Sequence, residues 1–339
     1  MTNILNHCRG GYSNRLYIVK IRPTVIPITN NNNNGETDEK YMVDTVPSTV
    51  LVRIYGGKMV VVGSGEPYRT LTEPGEILLF NKLGELGYGP KLFGVFDGGR
   101  LEEFIPSHTL SDSDLMDKNI RQDFARKLAR YHSIKLPLGT KPVDQYNVIS
   151  IKHANFIERK DEFLQHPTVK RSKFDAVKIA NFDLPSEIAW FKKIHPKIKA
   201  PIVFSVNDMN RLNTLVRDQV DQFGHRVTLI DYEFSAMNNR GNDLGGHFGM
   251  WILDLNATND SFRSTLDLPS EDIRREYAEA YLHETSKIRK LDPIIDNVEQ
   301  LLLEAEFYGM SVMLLFFSWV LDPATNSIGQ ENGHRFLVS

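Results

Sequence analysis

Val206-Asn207-Asp208-Met209-Asn210-Arg211-Leu212-Asn213 is followed by Thr214-Leu215-Val216-Arg217 and, past a polar segment containing Gly224, by Val227-Thr228-Leu229-Ile230-Asp231. The runs 214–217 and 227–230 are apolar and β-branched around a polar stretch, the pattern of two strands joined by a turn. A hairpin of this kind returns Asp231 toward Asp208 and Asn213. Asp231 then stands at the end of a buried strand, where a carboxylate projects while the strand itself stays covered.

An Asp and an Asn with four residues between them have the spacing of a phosphotransferase catalytic loop. There the Asp takes the proton of the attacking hydroxyl and the Asn holds a metal ion. Asp208, Asn213 and Asp231 are therefore the expected catalytic residues, with Asn213 and Asp231 as metal ligands. The bland alternative is a chance recurrence of polar residues in a loop, so the remainder of the chain has to supply a nucleotide site.

At 339 residues the chain exceeds the roughly 250–300 at which single cores stop growing, and two lobes are expected. A formal charge of -3 with interspersed signs leaves no basic footprint for nucleic acid and favours small-molecule partners. The single cysteine, Cys8, excludes an internal disulfide and any multi-cysteine metal site, and points to a reducing, cytoplasmic location. Met1 to Arg9 lacks the apolar core of a signal peptide. The longest apolar stretch, Met310 to Leu321, is too short to span a bilayer and is read as a buried helix, with no membrane insertion.

Residues 12–21, 50–55 and 59–62 are strand-like, interrupted by a polar tract from Asn30 through Lys40 that reads as a mobile surface loop. A helix is expected from Pro74 to Leu86, ended by Gly87 and Gly89-Pro90. Two strands then flank Asp97-Gly98-Gly99, and Pro106 closes the second. Beyond it the texture is helical, over 119–134, 151–165, 186–194, 270–288 and 296–321, with Ser270 and Pro185 marking helix starts. The expected architecture is α+β: an antiparallel β lobe with its hinge over 1–106, then a mostly helical lobe over 107–339 carrying the catalytic loop.

Read together, Gly10-Gly11-Tyr12-Ser13-Asn14, Val50-Leu51-Val52-Arg53-Ile54-Tyr55-Gly56, Gly89-Pro90-Lys91-Leu92, Gly99 through Ser107 and Ile230-Asp231-Tyr232-Glu233 resemble the choline/ethanolamine kinase family. The order and spacing also match, from about Gly10 to about Trp319. The resemblance implies a bilobal protein-kinase-like fold. It implies transfer of the γ-phosphoryl of ATP, with Mg2+, to the hydroxyl of choline or ethanolamine, the first step of phospholipid head-group synthesis. It also leaves a homodimer open.

By the same resemblance Gly11, Ser13 and Asn14 cover the ATP phosphates, helped by Tyr55 and Gly56. Arg53, whose planar fork suits phosphate oxygens, is paired with Glu76. Glu103, Phe104 and Ile105 form the hinge beside adenine, and Asn210 lies near the nucleotide. Asp243 braces the catalytic loop. Asp208, Glu233, Phe234, Trp251, Phe316 and Trp319 line the substrate pocket, although an aromatic residue at helical spacing serves equally well as core.

Departures from the family pattern also carry information. Val206 stands where a histidine begins the catalytic loop, Leu86 where an arginine reaches the nucleotide, and Glu103 where a glutamine is expected. Met250 and Leu255 replace an acid and a tyrosine associated with the cationic head group. A quaternary ammonium held by faces worth on the order of 0.5–2 kcal/mol each finds few of them here. A catalytically weakened nucleotide-binding module and an aminoglycoside-phosphotransferase-like enzyme for another alcohol are the competing readings.

Overall fold

Alternating apolar strands at the N-terminal end pair into an antiparallel sheet made of β1 (Asn3–Cys8), β2 (Asn14–Lys20), β5 (Thr49–Tyr55), β6 (Leu92–Phe96) and β7 (Gly99–Glu103). Their order is β1-β2-β5-β7-β6, and β3 (Pro27–Asn31) pairs separately with β4 (Thr37–Tyr41). The computed structural model describes residues 3–8, 14–20, 27–31, 37–41, 47–55, 71, 73–136, 141–166, 169–170, 175–253 and 264–321. The strand expected at 59–62 lies outside them. The polar tract expected to be a mobile loop is in part a ladder, with Ile28 opposite Lys40 and Asn31 opposite Thr37. β-Branched Ile28, Thr29 and Thr37 supply strand propensity that the asparagine-rich composition conceals.

The chain divides into two compact units, 1–60 with 80–106 and 61–79 with 107–339. Helix α1 (Glu73–Leu86) contributes to both, since the division falls between Leu79 and Phe80. It ends where Gly87 takes φ 72°, with its N–H on the Gly84 carbonyl at 3.1 Å. Within the first unit the turn between β6 and β7 needs Gly98 at φ 79°.

Glu102 of β7 is buried between two guanidinium groups. Its Oε1 accepts from Arg53 Nε at 2.6 Å and from Arg100 Nε at 2.7 Å. Burial pushes the carboxyl up, but Arg53 and then Arg100 outweigh it and hold it below its ordinary value. Arg100 also lies over the Phe80 ring at 4.3 Å.

The second unit is built on α2 (Asp112–Met116), α3 (Lys118–His132), α4 (Gln145–Glu158), α5 (Lys160–Gln165), α6 (Ala176–Ala180), α7 (Leu184–Ile194), α8 (Gly241–Gly249), α9 (Glu271–Ile288) and α10 (Val298–Leu321). Ser111 closes a capping box on α2, and Ser270 caps α9 through the Ile273 N–H. The helix expected from Ile151 begins earlier, at Gln145, because Asp144 accepts the Asn147 N–H and so supplies the cap. Two small ladders lie among these helices: β8 (Ser107–Thr109), β10 (Thr214–Arg217) and β11 (Val227–Leu229) in one, β9 (Ile202–Ser205) with β12 (Ala236–Asn239) in the other.

Helix α10 begins well before the apolar run that marks it in the sequence. By length and composition it passes for a membrane span, yet 56% of that window is buried against the protein. It crosses α8 at Gly245 and Gly309, where a Cβ on Gly245 would lie 2.1 Å from the Ala305 carbonyl oxygen. At the start of α8, Arg240 joins the two helices through Glu304, with Asp296 as its second carboxylate at 2.7 Å. Gly245→Ala is expected to destabilise the protein by about 3 kcal/mol in urea unfolding, because the obstacle is backbone and cannot swing aside.

Helix α8 also buries His247, stacked on Phe124 with centroids 3.7 Å apart. Its Nε2 accepts from the Tyr277 hydroxyl at 2.9 Å and from Trp251 Nε1 at 3.4 Å, which fixes a neutral ring. Burial, with the Arg211 guanidinium adding to it, lowers the His247 pKa from 6.5 to about 3. The unfolded chain thus takes up a proton at this position that the folded chain refuses. Stability is expected to fall as pH drops below about 6.5, by about 1.4 kcal/mol per unit from this group. The difference between wild type and His247→Gln in denaturant titrations at pH 7 and pH 5 measures it.

Candidate active site

The catalytic loop hangs from β9 and is gripped by one carboxylate. Asp243, in the first turn of α8, is fully buried, and its Oδ2 and Oδ1 accept the backbone N–H groups of Val206 at 2.8 Å and Asn207 at 2.9 Å. His132 at the end of α3 donates Nε2–H to the same carboxylate at 3.1 Å, with Nδ1 against the Tyr281 hydroxyl at 2.9 Å. Val206 itself is 1% exposed, so the apolar side chain standing at the histidine position is packed away while its backbone is held.

Asn207 has φ 63°, in the left-handed region that Asn tolerates better than most residues. The conformation is fixed on both sides of its amide. Nδ2 donates to the Phe234 carbonyl at 2.9 Å, and Oδ1 accepts from Asn238 at 2.8 Å and Asn242 at 3.2 Å. None of these three asparagines was singled out among the expected site residues, although asparagine is among the few residues besides glycine that tolerate a left-handed turn.

The sharp bend sends Asp208 out of the loop, partly exposed. Asn213 Nδ2 donates to Asp208 Oδ2 at 2.8 Å, which leaves the amide oxygen to turn elsewhere. The hairpin supplies the third group. Thr214 pairs with Leu229, and the Ile230 N–H reaches the Asn213 carbonyl at 2.9 Å, so Asp231 emerges beside Asn213 with φ 64°. Burial, then the negative charge of Asp231, pushes the Asp208 carboxyl up to about 6, against hydrogen bonds from the Asn210 N–H and Asn213 that lower it. Asp208, Asn213 and Asp231 are brought together by the structure.

Arg211, between Asp208 and Asn213, anchors the loop from below. Its guanidinium donates to Asp112 in α2, to the carbonyls of Met250 and Trp251, and to Ser264 Oγ at 3.1 Å. Burial raises the Asp112 carboxyl, but its hydrogen bonds from Thr265, Arg211 and Ser264 bring it down to about 2. Asn210 turns its side-chain oxygen back on the Leu212 N–H at 3.0 Å, capping the short 3-10 turn that carries Asn213.

The remaining expected residues fall into place unevenly. Gly11, Ser13 and Gly56 lie outside the described residues, while Asn14 and Tyr55 face each other across β2 and β5. Arg53 is held within the sheet by Glu102; Glu76 lies on the part of α1 that belongs to the second unit. Glu103 spends one carboxylate oxygen on the Lys91 N–H at 3.0 Å, and Ile105 after Phe104 is buried. Glu233 and Phe316 are partly buried. Phe234 and Trp319 meet at 90° with centroids 6.3 Å apart.

Trp251 corrects an expectation. The short turn after α8 directs its indole inward onto Tyr277 and His247, leaving it 2% exposed, so it is a core residue and not a wall of the substrate pocket. An apolar cavity of about 790 Å³, lined in part by Phe182, Phe248, Met313 and Phe317, has none of Asp208, Asn213 and Asp231 in its lining.

The sequence profile of the choline/ethanolamine kinases matches residues 5–332. The chain belongs to the choline/ethanolamine kinase family. Choline kinase alpha of Mus musculus is 30% identical over 258 residues, 73% of this chain and 52% of that one, so this chain spans about half the length of that relative. Among solved structures, a choline kinase from Cryptosporidium parvum superposes with TM-score 0.67 at 17% identity, covering 98% of this chain and 88% of that chain. The Plasmodium vivax ethanolamine kinase gives 0.63 at 19%, covering 99% and 80%. The fold is the protein-kinase-like one, with strands first and helices after.

A kinase of this family calls for a divalent ion, and the donor set accommodates it. The Asp208 carboxyl, raised by burial and then by the negative charge of Asp231, and the amide of Asn213 beside it make an oxygen donor set that favours a hard cation able also to take phosphate oxygens and water. Among the described residues no cluster of three or more His, Cys, Asp or Glu forms a separate metal site. Asp243→Ala would leave two buried backbone N–H groups and His132 without their acceptor. A loss of about 3–5 kcal/mol in unfolding free energy is expected, with Asp243→Asn milder because one oxygen remains.

Proposed function

We propose that this member of the choline/ethanolamine kinase family transfers the γ-phosphoryl group of MgATP to the hydroxyl of a small amino alcohol, choline or ethanolamine, for phospholipid head-group synthesis. The supporting observation is the convergence of Asp208, Asn213 and Asp231, with Asp208 tied to Asn213 and its carboxyl raised by burial and then by the charge of Asp231. A carboxyl near 6 remains ionised at neutral pH and is basic enough to accept a proton from an alcohol in flight.

Asp208 orients the substrate hydroxyl and takes its proton as the oxygen bonds to the γ-phosphorus. The bond from that phosphorus to the bridging oxygen breaks, and ADP leaves with the electron pair. Asn213 and Asp231 would hold the divalent ion, magnesium in this reading, which shields the phosphate charge when bound. Asn207, Asp243 and Arg211 keep the three groups in register and touch no substrate. A single cysteine matches a reducing compartment, and we place the reaction in the cytoplasm.

The test is phosphoryl transfer from radiolabelled MgATP to choline, ethanolamine and the intermediate N-methylated alcohols, beside Asp208→Ala. Turnover of at least one alcohol is expected, with a loss of about 10³-fold or more in the variant. Turnover that persists in Asp208→Ala removes the assignment. If MgATP raises the melting temperature and no alcohol is phosphorylated, the protein is a nucleotide-binding module.

A further inference from the structure

Helix α4 points a lysine at the aromatic wall beside the catalytic loop. Lys152 is 6% exposed, and its Nζ lies 4.0 Å from the centroid of the Trp319 ring in α10. The same indole meets Phe234 at 90°, and the carbonyl of Phe234 accepts Asn207 Nδ2 next to Asp208. Catalytic loop, Phe234, Trp319 and Lys152 thus form one continuous run within the second unit. Phe234 and Trp319 are only partly buried, whereas the lysine between the helices is not open to solvent.

An indole face that already carries an ammonium does not accept another cation, because the attraction of the ring quadrupole is in use. A trimethylammonium group has no N–H donor and depends on aromatic faces. A primary ammonium keeps three N–H donors, which carboxylate or carbonyl oxygens can accept, and so depends less on an aromatic face.

We propose that Lys152 is a specificity-determining residue, closing the Trp319 face to quaternary ammonium and directing the site to primary amino alcohols. This rests on the reading of Phe234 and Trp319 as the substrate end of the active site. It makes ethanolamine the preferred acceptor over choline.

The experiment compares wild type, Lys152→Met and Lys152→Arg by kcat/KM for choline and for ethanolamine, and by calorimetric binding of each alcohol. In Lys152→Met the choline to ethanolamine ratio is expected to rise tenfold or more, chiefly through the KM for choline, and to fall back when Trp319→Leu is added. Lys152→Arg, which keeps a cation on the ring, is expected to hold the wild-type ratio. Lys152→Gln replaces the Met variant if that one fails to fold. A ratio within twofold of wild type in the neutral variant overturns the role of Lys152 while leaving an active wild type as an ethanolamine kinase. A wild type that turns over neither alcohol defeats the proposed function instead, and calorimetry then decides on Lys152: no gain in choline affinity overturns it.

Discussion

The two oxygens of Asp243 are the constraint on which the site depends. They hold successive backbone N–H groups at Val206 and Asn207, where the chain turns with Asn207 at φ 63°. A left-handed residue of this kind costs of order 1–3 kcal/mol unless its surroundings over-determine it. The surroundings do: Phe234, Asn238 and Asn242 all bond the Asn207 amide. The bend they enforce is what turns Asp208 out toward Asn213.

The supports of that bend come from elements far apart in the chain. α3 sends His132, β12 sends Asn238, α8 sends Asp243 and Asn242, and α2 sends Asp112 to Arg211 at the other end of the loop. Their separation in sequence means that the arrangement exists only once the helical unit is assembled, and Asp208, Asn213 and Asp231 inherit their spacing from tertiary packing.

Much of this arrangement was legible from the residues. The hairpin was readable because 214–217 and 227–230 are β-branched around a polar turn, and that register alone determines where Asp231 emerges. Helix ends were readable at Gly87 and Ser270, where the chemistry is local. Long-range pairing was not: nothing in the sequence assigns Arg53 to Glu102, 49 residues away. Trp251 looked like a substrate contact because aromatic type and position were visible and the inward turn after α8 was not. The asparagines around residue 30 hid a ladder for the opposite reason, since composition outweighed the few β-branched residues that form it.

The cluster of Arg240, Glu304 and Asp296 has side chains almost wholly shut off from solvent, whereas Arg275 and Glu299 pair at the surface. Mobile ions screen exposed pairs over a Debye length of roughly 8 Å at physiological strength and scarcely reach enclosed ones. The brace between α8 and α10, and with it the seat of Asp243, is therefore insulated from the electrolyte around the protein. Changes in salt concentration would act on this protein through its surface pairs, while the framework beneath the loop at 206–213 stays indifferent to them.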